Sequence, residues 1–331
     1  MAVTTYPPSG LAETTRRRSL LADFFIRLVR EKPLGTFGGF IVLLLFFTGV
    51  FADFLAVFPY GEIHLADRLA APSAQYILGA DGMGRDMLSR IIFGARISMY
   101  VGLGASTINV IIAGIIGLIS GYLGGRVDIT VQRFVDAALS FPMLIVAITL
   151  MALVGSGLVQ VIIVLGIWGG IAWIRVVRAA VIAIKENIYV DAARAIGSTT
   201  GHMITRHILP NIVPVMIIIF TVSMAGNIIG EASLSFLGFG VPPPAPSWGG
   251  MLSAEGRRYM YEAPWLAVWP GLALTIAVFG INMFGDAMRD LLDPRLRGAG
   301  GRLGGMKVEL KRGKIGSSDS GLFPRLRKWW K

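Results

Sequence analysis

Cysteine is absent from the 331 residues, which excludes a disulfide framework, thiolate metal ligands and a cysteine nucleophile. Charge is scarce too: Asp, Glu, Lys and Arg make up 15% of the chain, against about a quarter in an ordinary soluble domain. A water-soluble globular protein is therefore not expected. The three histidines, His64, His202 and His207, match no metal-binding helical spacing, and there is no G-x-S-x-G elbow for a serine nucleophile. Gly313-Lys314 is followed by Ile315, and no glycine stands five positions before Gly313, so a Walker A loop is missing. The chain is expected to hold no catalytic residue, no metal and no cofactor, and energy for any uphill transport must come from a partner.

What is present is apolar. Hydrophobic residues form 54% of the chain, and the mean hydropathy is +0.66. Charge disappears for 20 residues between Lys32 and Asp53, 29 between Arg96 and Arg126, 38 between Asp136 and Arg175, 24 between Arg206 and Glu231, and 23 between Glu262 and Asp286. Each run can cross a hydrocarbon layer of about 30 Å, where an ionised side chain would cost at least ~3 kcal/mol. The longest run is broken by Gly155-Ser156-Gly157 and reads as two helices, 131–153 and 158–182, with Arg175 and Arg178 near the inner end of the second, where they can snorkel. The expectation is an all-α, polytopic membrane protein with six spans.

The net charge of +11 would point to nucleic acid in a soluble chain; here its placement matters more, and no nucleic-acid partner is expected. With both termini cytoplasmic, 25 of the 31 Lys and Arg residues fall inside and 6 outside, which fits the positive-inside rule. The polar start does not read as a cleavable signal peptide. No internal repeat is visible, and Asp53, Asp136 and Glu231 lie near span ends, so a proton-coupled pump with an inverted repeat is disfavoured. Pairs Gly117/Gly121, Gly166/Gly170 and Gly226/Gly230 have G-x-x-x-G spacing, suited to packing inside the bundle or to a subunit interface. Asn109, Asn227 and Asn282 are either packing bonds or pathway linings; Asn227 and Glu231 are the pathway candidates.

The segment 186–214 is the most informative. Residues 189–196 predict a short helix, with Asp191 early in it, where a negative charge suits the dipole, and with Ala192 and Ala193 giving a low-relief face. Gly197 can end that helix in the left-handed conformation, and Pro210 suits entry to the next span. The order Asp191-Ala192-Ala193, three residues, Gly197, then Leu209-Pro210 resembles the E-A-A-x3-G-x9-I-x-L-P motif of ABC importer permeases, departing from it at Asp191 and at His207-Ile208. The outer segment Leu78 to Arg90 with Asp81, Gly84, Arg85 and Asp86, then Gly94 to Ser98, is similar to the dipeptide, oligopeptide and nickel importer branch. So are Glu231 to Gly240, Pro244 to Gly249 and Asp290 to Arg295.

The resemblance implies an inner-membrane permease subunit, with a cytoplasmic tail 1–33, a transmembrane domain 34–297 containing a coupling helix near 186–200, and a basic tail 298–331. It implies a second homologous permease, two cytoplasmic ATPases and an extracytoplasmic solute-binding protein as partners, with Asp191, Ala192, Ala193, Gly197, Leu209 and Pro210 coupling to an ATPase. Peptide is the expected cargo; the alternative is a stand-alone secondary transporter of small polar solutes. Residues 84–97 are read as an interfacial helix facing the binding protein or closing the outer mouth, with Asp86 and Arg90 placed to pair. The tail, with Trp329-Trp330 among basic residues, is expected to be flexible or to rest on anionic membrane lipid.

Overall fold

The computed structural model describes residues 20–292; the tail 298–331 and its expected lipid contacts lie outside the described residues. Those residues form helices and no named strand. Short α1 (Leu20–Glu31) leads into α2 (Pro33–Val50), which begins where Pro33, lacking an N–H, costs the first turn nothing. After an outer loop, α3 (Met87–Leu123) runs for 37 residues. At 1.5 Å per residue that is about 56 Å, so its head stands well outside a bilayer of about 30 Å. It is not a separate interfacial helix over 84–97: Asp86 accepts the Ser89 N–H as N-cap, and the span continues from that cap without a break.

The expected single helix over 131–153 is two helices, α4 (Gly125–Leu139) and α5 (Met143–Val154), bent by 85°. Pro142 is the reason: the residue before a proline is pushed out of the α region, and Pro142 has no N–H to carry the ladder across. Five helices are long and apolar enough to cross a membrane, and the count is six if the bent pair forms one span. Arg175 and Arg178 do not snorkel freely from α6 (Leu158–Lys185): they pair with Asp136 and Asp128 of α4, which lie two turns apart on one face.

A short α7 (Ile188–Ala195) then leads through a turn at 200–202 and a π-helical turn at Met203–Ile208 into α8 (Leu209–Phe236), and α9 (Trp265–Leu292) closes the bundle. Small residues set the close approaches. A Cβ on Gly117 would lie 2.9 Å from the Ile174 carbonyl, and one on Gly121 would lie 2.9 Å from that of Arg178, so α3 and α6 meet backbone to backbone. Gly166 and Gly170 return the contact against Ile108 and Ile112. These two glycine pairs serve internal packing, while a Cβ on Gly226 of α8 would meet nothing within 4 Å among the described residues. Across the same seam Asn109 donates to the Leu165 and Gly166 carbonyls (3.2 and 2.6 Å), and from α8 Asn227 donates to Ser106 Oγ and Asn109 Oδ1 of α3 (3.0 and 2.9 Å). Asn227 is 3% exposed and tied into this buried network.

Candidate functional site

On the cytoplasmic side, α7 is an eight-residue helix with two unlike faces. Val190 and Ala193 are buried and pack with Met203 against Tyr122. Ile188, Ala192 and Ile196, at successive four-residue steps, face out, with Ile188 87% and Ile196 85% exposed. The alanine pair is thus divided: Ala193 seats the helix and Ala192 belongs to its free face. Asp191 is exposed and lies 3.5 Å from Arg194. Gly197 adopts φ +87°, and the Gly197 and Ser198 N–H groups bond back to Arg194 and Ala193, which closes the helix. Leu209 and Pro210 open α8 one π-turn later.

The base of this helix is tied to the bundle. Lys185, the last residue of α6, donates to the Tyr122 carbonyl at 2.7 Å. Tyr189 accepts from Asn211 Nδ2 at 3.4 Å and packs against His207. A hollow bordered by Gly124, Asp128, Lys185 and Asp191 lies beneath. No acid or histidine cluster able to hold a metal ion occurs among the described residues.

On the outer side, the sequence candidates form an ion cluster. Asp81 Oδ1 accepts from the Met83 and Arg85 N–H groups at 2.8 and 2.9 Å, and Oδ2 from Arg85 Nε at 2.6 Å. Arg85 reaches on to Glu255 at 3.0 Å, whose other oxygen accepts from Gly82 N at 2.6 Å. Glu255, in the loop before α9, had no motif to mark it; its only sequence signal is an acid in an otherwise Pro-rich outer loop. Gly84 sits at φ +74° with the His64 carbonyl where a Cβ would stand. Asp86 and Arg90 do not pair as expected: Asp86 caps α3, and Arg90 Nε lies 3.5 Å from Asp81. Glu231, on α8, is 1% exposed and accepts from Ser235 Oγ at 2.6 Å, with Ser247 as a second hydroxyl neighbour. Asp53, outside the spans, accepts from Arg96 at 2.7 Å, and that hydrogen bond holds its carboxyl below the usual range.

A polytopic helical bundle that offers a small tethered helix to the cytoplasm and a braced loop cluster to the outside is the architecture of a transporter's membrane subunit. Residues 113–298 match the family of binding-protein-dependent transport system inner membrane components, and the chain belongs to that family. Relatives include the dipeptide transport system permease protein DppC of Alkalihalophilus pseudofirmus, 36% identical over 81% of this chain and 88% of the relative. The glutathione transport system permease protein GsiD of Pectobacterium atrosepticum is 36% identical over 83% of this chain and 91% of its own. The di/tripeptide transport system permease protein DppC of Pseudomonas aeruginosa is 36% identical over 85% and 94%. The chain is a multi-pass inner-membrane permease subunit of an ABC importer with the type I transmembrane fold, and it is a non-catalytic component of that system.

Proposed function

We propose that this chain forms half of the translocation pathway for di- or oligopeptides, beside a second homologous permease, and that α7 couples it to one of two cytoplasmic ATPases while a solute-binding protein delivers cargo outside. The names of the relatives support peptide as the cargo class. The observation that carries the coupling assignment is the two-faced α7: an exposed Ile188, Ala192, Ile196 ridge on a helix whose other face and base are fixed to the bundle. A rigid helix passes a nucleotide-driven rigid-body movement to the spans, whereas a slack loop absorbs it. Asp191 and Gly197 hold the helix ends, and Leu209 and Pro210 carry the movement into α8. In this reading Asn227 clamps α3 to α8 instead of lining the pathway, and the outer cluster of Asp81, Gly84, Arg85 and Asp86 braces the face that meets the binding protein.

The test is a mild-detergent pull-down of the tagged chain from its native membrane, with mass spectrometry, beside an Asp191→Lys variant. The expected result is a second permease and Walker-motif ATPases with the wild type, and loss of the ATPases with the variant. Recovery of the folded wild-type chain without ATPases, or retention of the ATPases by the variant, would overturn the coupling assignment.

A further inference from the structure

A cavity of about 330 Å³ opens among the outer loops, where the head of α3, the turn between α5 and α6 and the loop after α8 converge. Its walls are apolar at Met87, Met251 and Pro243 and polar at Arg90, Ser235 and Ser247, and the Asp81, Arg85 and Glu255 ion cluster also borders it. That volume lies in the range of small-molecule sites, which are mostly apolar with a few placed polar groups.

The charges around it are unevenly used. Asp81 takes three N–H donors and Glu255 two, so both carboxylates are satisfied within the protein. Arg90 is 7% exposed; its Nε lies 3.5 Å from Asp81, and its Nη1 reaches the Tyr60 and Pro244 carbonyls, at 3.1 and 3.5 Å. Its Nη2 donates to no acceptor among the described residues. A guanidinium has five donors in a planar fork, and Nη2 is not among the fully buried atoms that lack a partner, so this edge of the fork is open at the cavity wall and can be taken up by a ligand. A carboxylate matches that edge.

The floor has the opposite character. Ser235 and Ser247 line the cavity and rest on Glu231, which is 1% exposed and has no basic partner among the described residues. A lone anion would meet these acceptors unfavourably; a molecule with a cationic group at its other end would not. We propose that this cavity binds the free carboxylate of a short unblocked peptide through Arg90, with the peptide's ammonium toward the Ser235, Ser247 and Glu231 floor and its side chain against the methionine and proline walls. The proposal rests on the peptide reading above and adds a cargo-reading site within this chain.

The experiment uses the assembled transporter in lipid nanodiscs without binding protein, and alanyl-photoleucine and its C-terminal amide as photocrosslinking probes. The acid is expected to label cavity residues such as Met251, and the amide to label them about tenfold more weakly, the size of one lost charge-assisted contact. Arg90→Gln should abolish the difference between the two probes. Ala245→Trp, which places a large side chain at the cavity wall, should remove labelling by both while leaving assembly intact. Equal labelling by acid and amide, or adducts that map away from the cavity, would overturn the proposal. So would an Arg90→Gln transporter that keeps the labelling pattern but loses affinity for the binding protein, because the cavity would then receive an acidic side chain of that partner. Uptake of the same dipeptide by the complete system separates the two readings: import with an unlabelled cavity sinks this inference alone, and no import sinks the peptide reading as well.

Discussion

Lys185 lies over the ring of Tyr122, 5.6 Å from its centroid, and donates to the backbone carbonyl of the same residue at 2.7 Å. One residue ends α6 and the other lies in the last turn of α3, so this contact joins two spans at the point where α7 departs. It makes the helix base part of the bundle.

Lys185→Met is expected to keep the chain folded and to loosen α7. Cation–π and charged hydrogen-bond contributions together amount to about 1–2 kcal/mol at a partly buried site, a factor of about 5–30 in the ordered population. ATP hydrolysed per peptide imported should rise, with peptide affinity of the binding protein unchanged. An unaltered ATP-to-peptide ratio in proteoliposomes would show that this tie does not serve coupling.

Gly197 offers a graded test. Gly197→Ala keeps the N–H that bonds to Arg194 but places a Cβ at φ +87°, a strain of about 1 kcal/mol. Gly197→Pro demands φ near −65° and also removes that N–H, so the helix end must reorganise. Uptake should fall modestly in the first and nearly vanish in the second, with ATPases recovered less well in the same order. Equal uptake in both would leave no coupling role for this helix end.

The glycines on α3 and α8 should respond in opposite directions. Gly117→Val puts a Cβ 2.8 Å from Val177 Cβ and 2.9 Å from the Ile174 carbonyl, and overpacking of this kind costs about 1–3 kcal/mol. Gly226→Ala meets nothing within 4 Å among the described residues and gains about 0.5–1 kcal/mol of helix propensity. Thermal unfolding of the isolated chain in detergent measures both. If Gly226→Ala stabilises the isolated chain yet weakens its capture of the second permease, the open side of α8 is the subunit contact.

Asp53 supplies a pH dependence. Its folded-state carboxyl is depressed, chiefly by the Arg96 hydrogen bond, so the pair adds stability above the ordinary carboxylate value of about 4 and loses it as pH falls through the lower folded value. Asp53 is largely exposed, and the contribution of the pair is small. The melting-temperature difference between wild type and Asp53→Asn should be present at pH 7 and shrink below about pH 4; a difference that stays constant down to pH 2 would assign the effect to something other than this ionisation.

The broken third span shows where sequence reading and structure part. Asp136 and the 38-residue run that follows it gave the correct total of apolar length, but Pro142 turned one expected helix into α4 and α5. Gly155-Ser156-Gly157 separates α5 from α6 as expected, and Pro142 adds a second break before α5. Asp86 is a parallel case: spacing offered Arg90 as its partner, yet a free Ser89 N–H at the helix start is nearer and is otherwise orphaned.

By itself the sequence determined the class of molecule, because membrane insertion depends on local runs of apolar residues and on the sidedness of Lys and Arg, both readable along the chain. It also determined where a short helix leaves the membrane, because Asp191, Gly197 and Pro210 act through local backbone geometry. Only the tertiary structure decided that Ala192 faces out while Ala193 packs on Met203, that Arg85 finds Glu255 170 residues away, and that Arg90 lines an outer cavity. Such pairings depend on which faces of distant helices meet. No spacing along one strand of sequence records that.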